Sequence, residues 1–360
     1  MSDLTERLNQ TSIQRVGVLE PSSLGGVVRS LPLFPALAER FPGAKLVAVV
    51  RSENAELLES SPRISQVISY GRRELLYRWK PLLRSLKAQH FDLVIDLKGQ
   101  LRTGLMSLVT GAPIRVGLET SREGAGFTCT HLVPDSGPLV PEYLRYWRVA
   151  EMLGVGHLRQ ISEFTVDPHT ADWAVGQAES LRRPLLAVHP GSDWQTKRWP
   201  VEKFAVVACK AMRQHQCGVA VLGGDAEVAA GEHFVSLMNK FIPSKTVLNL
   251  VGKTSLKRLA AFLRECDCLL TNDSGPMHLA ASLGTPVVGL FTCTSPKISG
   301  PPGAAHELVS TCVECHASYR KRCPNRGSRH LACMEELSIE RVSAAVSSVL
   351  RRRENIRRAA

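Results

Sequence analysis

The chain has no run of about 18 consecutive apolar residues, which excludes a membrane-spanning helix. Residues 1–14 mix Asp3, Glu6 and Arg7 with polar side chains and lack the apolar stretch of a secretory signal, so a cytoplasmic location is expected. Low-complexity segments and short-period repeats are absent too, which leaves ordinary globular folding. Aromatic residues are only 6% of the sequence, and with neither a basic recognition helix nor a stacking surface nucleic acid is not an expected partner. Acidic residues are the last deficit. Against 45 Lys and Arg there are 33 Asp and Glu, and the formal net charge of +12 favours anions such as phosphate-bearing ligands or an anionic membrane face.

What is present is 360 residues, 44% of them hydrophobic, a length that suits two domains each able to bury its own core. From Arg15 onward short β-branched runs alternate with longer helical patterns, the mark of parallel sheets with crossover helices. Strands are predicted at 16–20, 45–50, 66–70, 91–97 and 114–118. After a helix over 142–153 and a less regular stretch to Arg183, they resume at 185–189, 217–222, 246–250, 267–271 and 286–291. The fold class is therefore α/β, two doubly wound Rossmann-like domains facing a cleft. The first domain is placed over 1–167, the second over 168–350, and a basic tail over 351–360. Arg351, Arg352, Arg353, Arg357 and Arg358 of that tail suit a membrane-surface contact worth about 1 kcal/mol per basic residue.

Three strand-to-helix junctions of the second half carry chemistry. In Leu269-Leu270-Thr271-Asn272-Asp273-Ser274-Gly275-Pro276-Met277-His278 an apolar strand ends in a polar turn, with Pro276 where a helix's first residue is favoured. The helix start can bind a diphosphate through its unpaired N–H groups; capping by Asp273 or Ser274 is the plainer alternative. In His189-Pro190-Gly191-Ser192-Asp193-Trp194-Gln195-Thr196-Lys197-Arg198-Trp199-Pro200, Gly191 allows close backbone approach and the two cations can neutralise phosphate, unless they are simply solvated. In Val221-Leu222-Gly223-Gly224-Asp225-Ala226-Glu227 a carboxylate after a glycine turn can accept hydrogen bonds from ribose hydroxyls, or serve only as a helix N-terminal acid.

These segments, together with Ser22-Ser23-Leu24-Gly25, Leu31-Pro32 and Asp92-Leu93-Val94-Ile95-Asp96, resemble the ADP-heptose:lipopolysaccharide heptosyltransferases, glycosyltransferase family 9. The resemblance runs from Arg15 to about Leu350. It implies a GT-B fold, with the acceptor held mainly by the first domain and ADP-heptose by the second, and inverting transfer to the lipopolysaccharide core or a lipid A precursor with no cofactor required for catalysis. It also implies that Lys197 holds the diphosphate and stabilises it as it leaves, Glu227 the ribose, and Ser192, Asp273, Ser274, Gly275 and His278 the rest of the donor. Ser22, Ser23, Lys98 and Arg102 would meet the acceptor, the two cations being open also to a reading as a solvated helix start. The location becomes the cytoplasm, with peripheral contact at the inner face of the inner membrane.

One departure stands out. Where the family's first loop usually reads Ser-Ser-Leu-Gly-Asp, with the aspartate as general base, this chain has Gly26. Loss of such a base costs about 10² to 10⁴ in rate. Glu20, at the end of the first strand, is the candidate replacement; an ordinary strand-end acid is the alternative, and with it a member that binds substrate but turns over poorly. A different nucleotide-sugar donor is a further alternative.

Ten cysteines complete the picture. Six are scattered and read as small buried side chains. Cys312, Cys315, Cys323 and Cys333 cluster among Arg320, Lys321, Arg322 and Arg329, a spacing open to structural zinc, to unligated thiols or to a redox pair.

Overall fold

The computed structural model describes residues 2–71, 79–135, 137, 139–155, 163–242 and 247–359. The chain divides into two compact units, Met1–Thr165 and Val166–Ala360. In the first, strands β1 (Arg15–Leu19), β2 (Lys45–Arg51), β3 (Gln66–Tyr70), β4 (Leu93–Asp96), β5 (Ile114–Leu118) and β6 (His131–Val133) form one sheet in the order β3-β2-β1-β4-β5-β6. All its pairings are parallel, with Val18 of β1 registered against both Ala48 and Ile95.

The second unit repeats the plan. Its strands β7 (Leu185–His189), β8 (Gly218–Val221), β9 (Val247–Asn249), β10 (Cys268–Asn272), β11 (Val287–Phe291) and β12 (Glu307–Ser310) are ordered β12-β11-β10-β7-β8-β9, again all parallel. Counted within each unit, both sheets have the order 3-2-1-4-5-6 of doubly wound dinucleotide-binding folds. Helices on both faces explain why the central strands carry unbroken apolar runs: every residue of β7 and β10 is buried. The strand order reverses between β1 and β4 and between β7 and β10. Ligand crevices in such sheets open at the carboxyl ends of these strands.

Each sheet has one strand more than predicted. β6 and β12 are edge strands of three and four residues, and none of the residues of β12 is fully buried, so neither shows the apolar run that marks the inner strands. The stretch read as irregular also needs correction. Residues 156–162 lie outside the described residues, as does position 246 of the predicted 246–250 strand, but a helix spans Pro168–Glu179. Asp167 caps it, accepting the Thr170 N–H at 3.0 Å, and Pro168 occupies its first turn.

The last helix, Ile339–Ala359, buries Val342, Val346, Val349 and Leu350 at helical spacing against the second sheet's core. The basic tail is therefore its final turns, and much of it is committed to the fold. Arg353 and Arg357 lie 3.8 and 2.9 Å from Asp267 Oδ1, and Arg352 lies 2.7 Å from Glu307 Oε1. Asp267 is completely buried and its Oδ2 accepts the Leu185 N–H, so these cations neutralise a carboxylate that would be costly alone. Trp199 of the Lys197-Arg198-Trp199-Pro200 run is core as well. Its indole N–H is shared between the Met334 and Leu337 carbonyls, and it packs edge-on to Phe204.

Candidate functional site

At the carboxyl edge of the second sheet, the adjacency of β10, β7 and β8 brings the three predicted segments together. His189 is the last residue of β7. Its Nδ1 lies 3.2 Å from Thr271 Oγ1 and 3.4 Å from Ser274 Oγ, and its Nε2 lies 3.3 Å from Glu227 Oε2. Glu227, on the turn after β8, also accepts the Gly224 N–H at 2.9 Å. Burial pushes this carboxyl up, but His189, the Gly224 N–H and Arg198 outweigh it and hold the group below the usual carboxylate range. Gly191 is what lets Glu227 sit here, since a Cβ built on it would fall 1.4 Å from Glu227 Oε1.

Asp273, at the start of the β10 loop, accepts from Lys197 Nζ and from Thr294 Oγ1, both at 2.7 Å, through Oδ2. Lys197 Nζ also stands 4.5 Å from the centre of the Trp194 ring, an arrangement that fixes the cation's position. Arg198 donates to the Ser192 carbonyl, and Ser192 Oγ donates to the Asp273 carbonyl at 3.4 Å. Asn272 staples the two loops: its Nδ2 donates to the Pro190 carbonyl at 2.7 Å and its Oδ1 accepts the Trp199 N–H at 3.1 Å.

Side-chain capping does not explain Ser274. It occupies the N-cap position of the helix Gly275–Ser282, yet its hydroxyl makes no capping bond and turns toward Thr271 and His189. His278 is buried within that helix. Thus Ser192, Lys197, Glu227, Asp273, Ser274 and Gly275 share one edge of the sheet. His189, Thr271, Asn272 and Thr294 join them, though sequence reasoning gave them no role. His189 and Asn272 are polar residues ending otherwise apolar strands, a signal that could have flagged both.

The equivalent edge of the first sheet holds the residues expected on the acceptor side. Asp96 ends β4 and is buried, but well supplied: Oδ1 accepts the N–H groups of Lys98 and Gly99 at 2.9 and 3.0 Å, and Oδ2 accepts Thr103 Oγ1 at 2.8 Å. Burial nevertheless leaves its carboxyl above the ordinary range. Arg102 is stacked 4.0 Å from the Trp79 ring, which a merely solvated helix start would not require. Ser22 is buried, and Ser23 is the exposed N-cap residue of the helix Leu24–Ser30, without a side-chain capping bond. Glu20, just past β1, is 1% exposed. Its place, as a carboxylate sealed among protein groups, is unlike that of a strand-end acid in solvent.

Among the described residues no three His, Cys, Asp or Glu side chains converge to hold a metal ion. Cys312 is exposed, its backbone N–H tied to Glu336, whereas Cys333 is buried. Burial, with Cys315, Cys323 and Cys293 nearby, pushes the Cys333 thiol up to about 11, and an amide donates to Cys315 Sγ and a backbone N–H to Cys323 Sγ.

Comparison with known proteins agrees with this architecture. The family model described as glycosyltransferase family 9 (heptosyltransferase) matches residues 79–328. The chain is 29% identical over 305 residues to the lipopolysaccharide core heptosyltransferase OpsX of Haemophilus influenzae, covering 82% of this chain and 84% of that protein. It is 27% identical over 305 residues to lipopolysaccharide heptosyltransferase 2 of Salmonella typhimurium, covering 80% and 85%. Among solved structures, ADP-heptose lps heptosyltransferase II of E. coli superposes with a TM-score of 0.76 at 21% identity, over 95% of this chain and 100% of that one. A glycosyltransferase family 9 protein from Veillonella parvula gives 0.77 at 25% identity, over 95% and 99%.

Proposed function

The chain belongs to glycosyltransferase family 9, and from that membership we propose that it transfers heptose from ADP-heptose to the inner core of lipopolysaccharide, with inversion at the anomeric carbon. The observation that carries the reading is the joined edge of β7, β8 and β10. There an oriented carboxylate, Glu227, and an oriented cation, Lys197, are held by separate networks across neighbouring strands.

In this reading Glu227, kept ionised, accepts hydrogen bonds from the ribose hydroxyls. Lys197, the start of the helix Gly275–Ser282 and the neighbouring Arg198 face the diphosphate. As the bond from the anomeric carbon to the diphosphate oxygen breaks, the electron pair leaves on ADP, where a fixed cation and helix N–H groups stabilise the growing charge. The ion pair of Lys197 with Asp273 holds the cation in place beforehand, so little reorganisation is needed during the reaction.

The lipid-linked acceptor places the work at an anionic membrane face, which the net charge of +12 suits. No helix among the described residues is long and apolar enough to cross a membrane. Of Arg351, Arg352, Arg353, Arg357 and Arg358, three are already paired with Glu307 or Asp267, so peripheral contact through the tail would rest on Arg351 and Arg358.

Calorimetry with a donor panel tests the reading. ADP-heptose and ADP are expected to bind, with UDP-sugars far weaker, and Lys197→Met to weaken both adenine ligands. Equal affinity for a UDP-sugar would move the protein to another donor.

A further inference from the structure

Among the described residues, Glu20 is the one buried carboxylate at the two switch points that the fold leaves unsatisfied. Neither of its oxygens has a hydrogen-bond partner of good geometry, although it is 1% exposed. The Ser22 hydroxyl and the Tyr146 phenol lie near enough to influence its charge without completing such a bond. A buried, unbonded carboxylate is costly, and native structures seldom keep one without use. Asp96, on the next strand, shows what a structural carboxylate looks like here, with three donors on its two oxygens.

The second observation is the glycine facing it. A Cβ built on Gly26 would stand 3.3 Å from Glu20 Oε1 and 2.6 Å from Ser22 Cβ. Ser22 is the first obstacle to a side chain at 26, and beyond it position 26 borders the space that the Glu20 carboxylate fills, so a shorter acid rooted at 26 would approach that space from the other side once Ser22 shifts.

We propose that Glu20 is the general base of the transfer reaction, standing beside position 26, where this chain has glycine. The inference rests on the heptosyl-transfer reading above. Both Glu20 oxygens are closed off from solvent, so the acceptor hydroxyl has to open this pocket to supply the hydrogen bond that Glu20 lacks. As its oxygen forms the bond to the anomeric carbon, its proton passes to the Glu20 carboxylate and later to solvent, while the diphosphate departs with the electron pair of the broken bond. Groups from each neighbouring element set the base's strength. Burial raises its pKa, and Asp96 at the end of β4 adds to the rise. The Ser22 hydroxyl, Lys98 and Arg29 of the helix Leu24–Ser30 draw it back. From the helix Glu142–Met152, Tyr146 lies against it, and Glu142 is paired with Arg29 at 2.6 Å. A carboxylate whose pKa is raised is a better proton acceptor than an ordinary one.

The test uses the full chain with ADP-heptose and a heptose-deficient core, over about pH 5 to about pH 9, with ADP affinity followed by calorimetry. Glu20→Gln, similar in size, is expected to lower kcat about 10²- to 10⁴-fold, to remove the acid limb of the pH profile and to leave ADP affinity unchanged. Glu20→Ala/Gly26→Asp should recover at least about tenfold over Glu20→Ala/Gly26→Ala, which carries the same steric change without the acid. Normal turnover by Glu20→Gln with the acid limb intact would overturn the assignment. Equal rates for the two double variants would overturn the claim that an acid at either position serves the same proton transfer. Failure of the unaltered protein to transfer from ADP-heptose, despite intact folding, would overturn the parent reading, a result distinct from either.

Discussion

The two switch points are built on the same strand order and use their polar residues in opposite ways. Between β7 and β10 almost every polar group is spent on another: His189 on Glu227, Asn272 on the Pro190 carbonyl, Asp273 on Lys197 and Thr294. Between β1 and β4 one carboxylate, Asp96, is saturated and the other, Glu20, is left without a bond. A site that only binds gains from rigid, mutually satisfied groups. A group that must take a proton needs an open valence, so in the proposed reading the contrast separates holding the donor from activating the acceptor.

The contrast can be broken most severely at Lys197. Lys197→Met removes the cation placed for the leaving diphosphate, and kcat/KM is expected to fall about 10²- to 10³-fold in a transfer assay. Gly191→Ala comes next. Its methyl would occupy the Glu227 carboxylate's position, so ADP affinity measured by calorimetry should drop about 10- to 100-fold, the loss expected for a charged hydrogen bond, while Glu20's contribution to kcat persists.

His189→Gln sharpens the comparison further. It loosens one of the two supports of Glu227, and the donor KM should rise about fivefold, equivalent to one hydrogen bond of about 1 kcal/mol, with kcat little changed. The two edges should also differ in pH response. Glu227 is held below the usual carboxylate range, so its contribution is complete above that range and is lost only as pH falls through the lowered value. Affinity for ADP-heptose, whose diphosphate has no ionisation near neutral pH, is thus expected to stay flat as pH falls through the range where protonation of the raised Glu20 slows turnover. The smallest effect is predicted for Thr103→Val. It removes one of the three donors to Asp96 and should cost about 1 kcal/mol of stability in denaturant titration, leaving ADP affinity unchanged.

Much of this was visible in the chain alone, for physical reasons that can be named. Inner strands such as Leu185–His189 and Cys268–Asn272 are buried on both faces and so are written as continuous apolar runs. The edge strands His131–Val133 and Glu307–Ser310 are short and only partly covered, and their sequences carry no such run. The helix Pro168–Glu179 buries only small residues, Ala174 and Ala178, which gave its periodicity little weight beside a clear Asp167-Pro168 start signal. The residues gathered at the second sheet's carboxyl edge were legible because glycines and cations mark their loops. What sequence could not supply was strand order: only the adjacency of β7 and β10 puts His189 between Glu227 and Ser274, or Asn272 against the Pro190 loop. The cysteine spacing left zinc, unligated thiols and a redox pair open, and among the described residues no three potential ligands converge.

The most direct measurement is the reaction itself: heptose-deficient lipopolysaccharide core mixed with ADP-heptose and the full chain, with product mass and ADP release followed together. The expected result is a core heavier by heptose, with one ADP released for each heptose added. ADP release without a heavier core, or tight donor binding with neither product, would contradict heptosyl transfer to this acceptor.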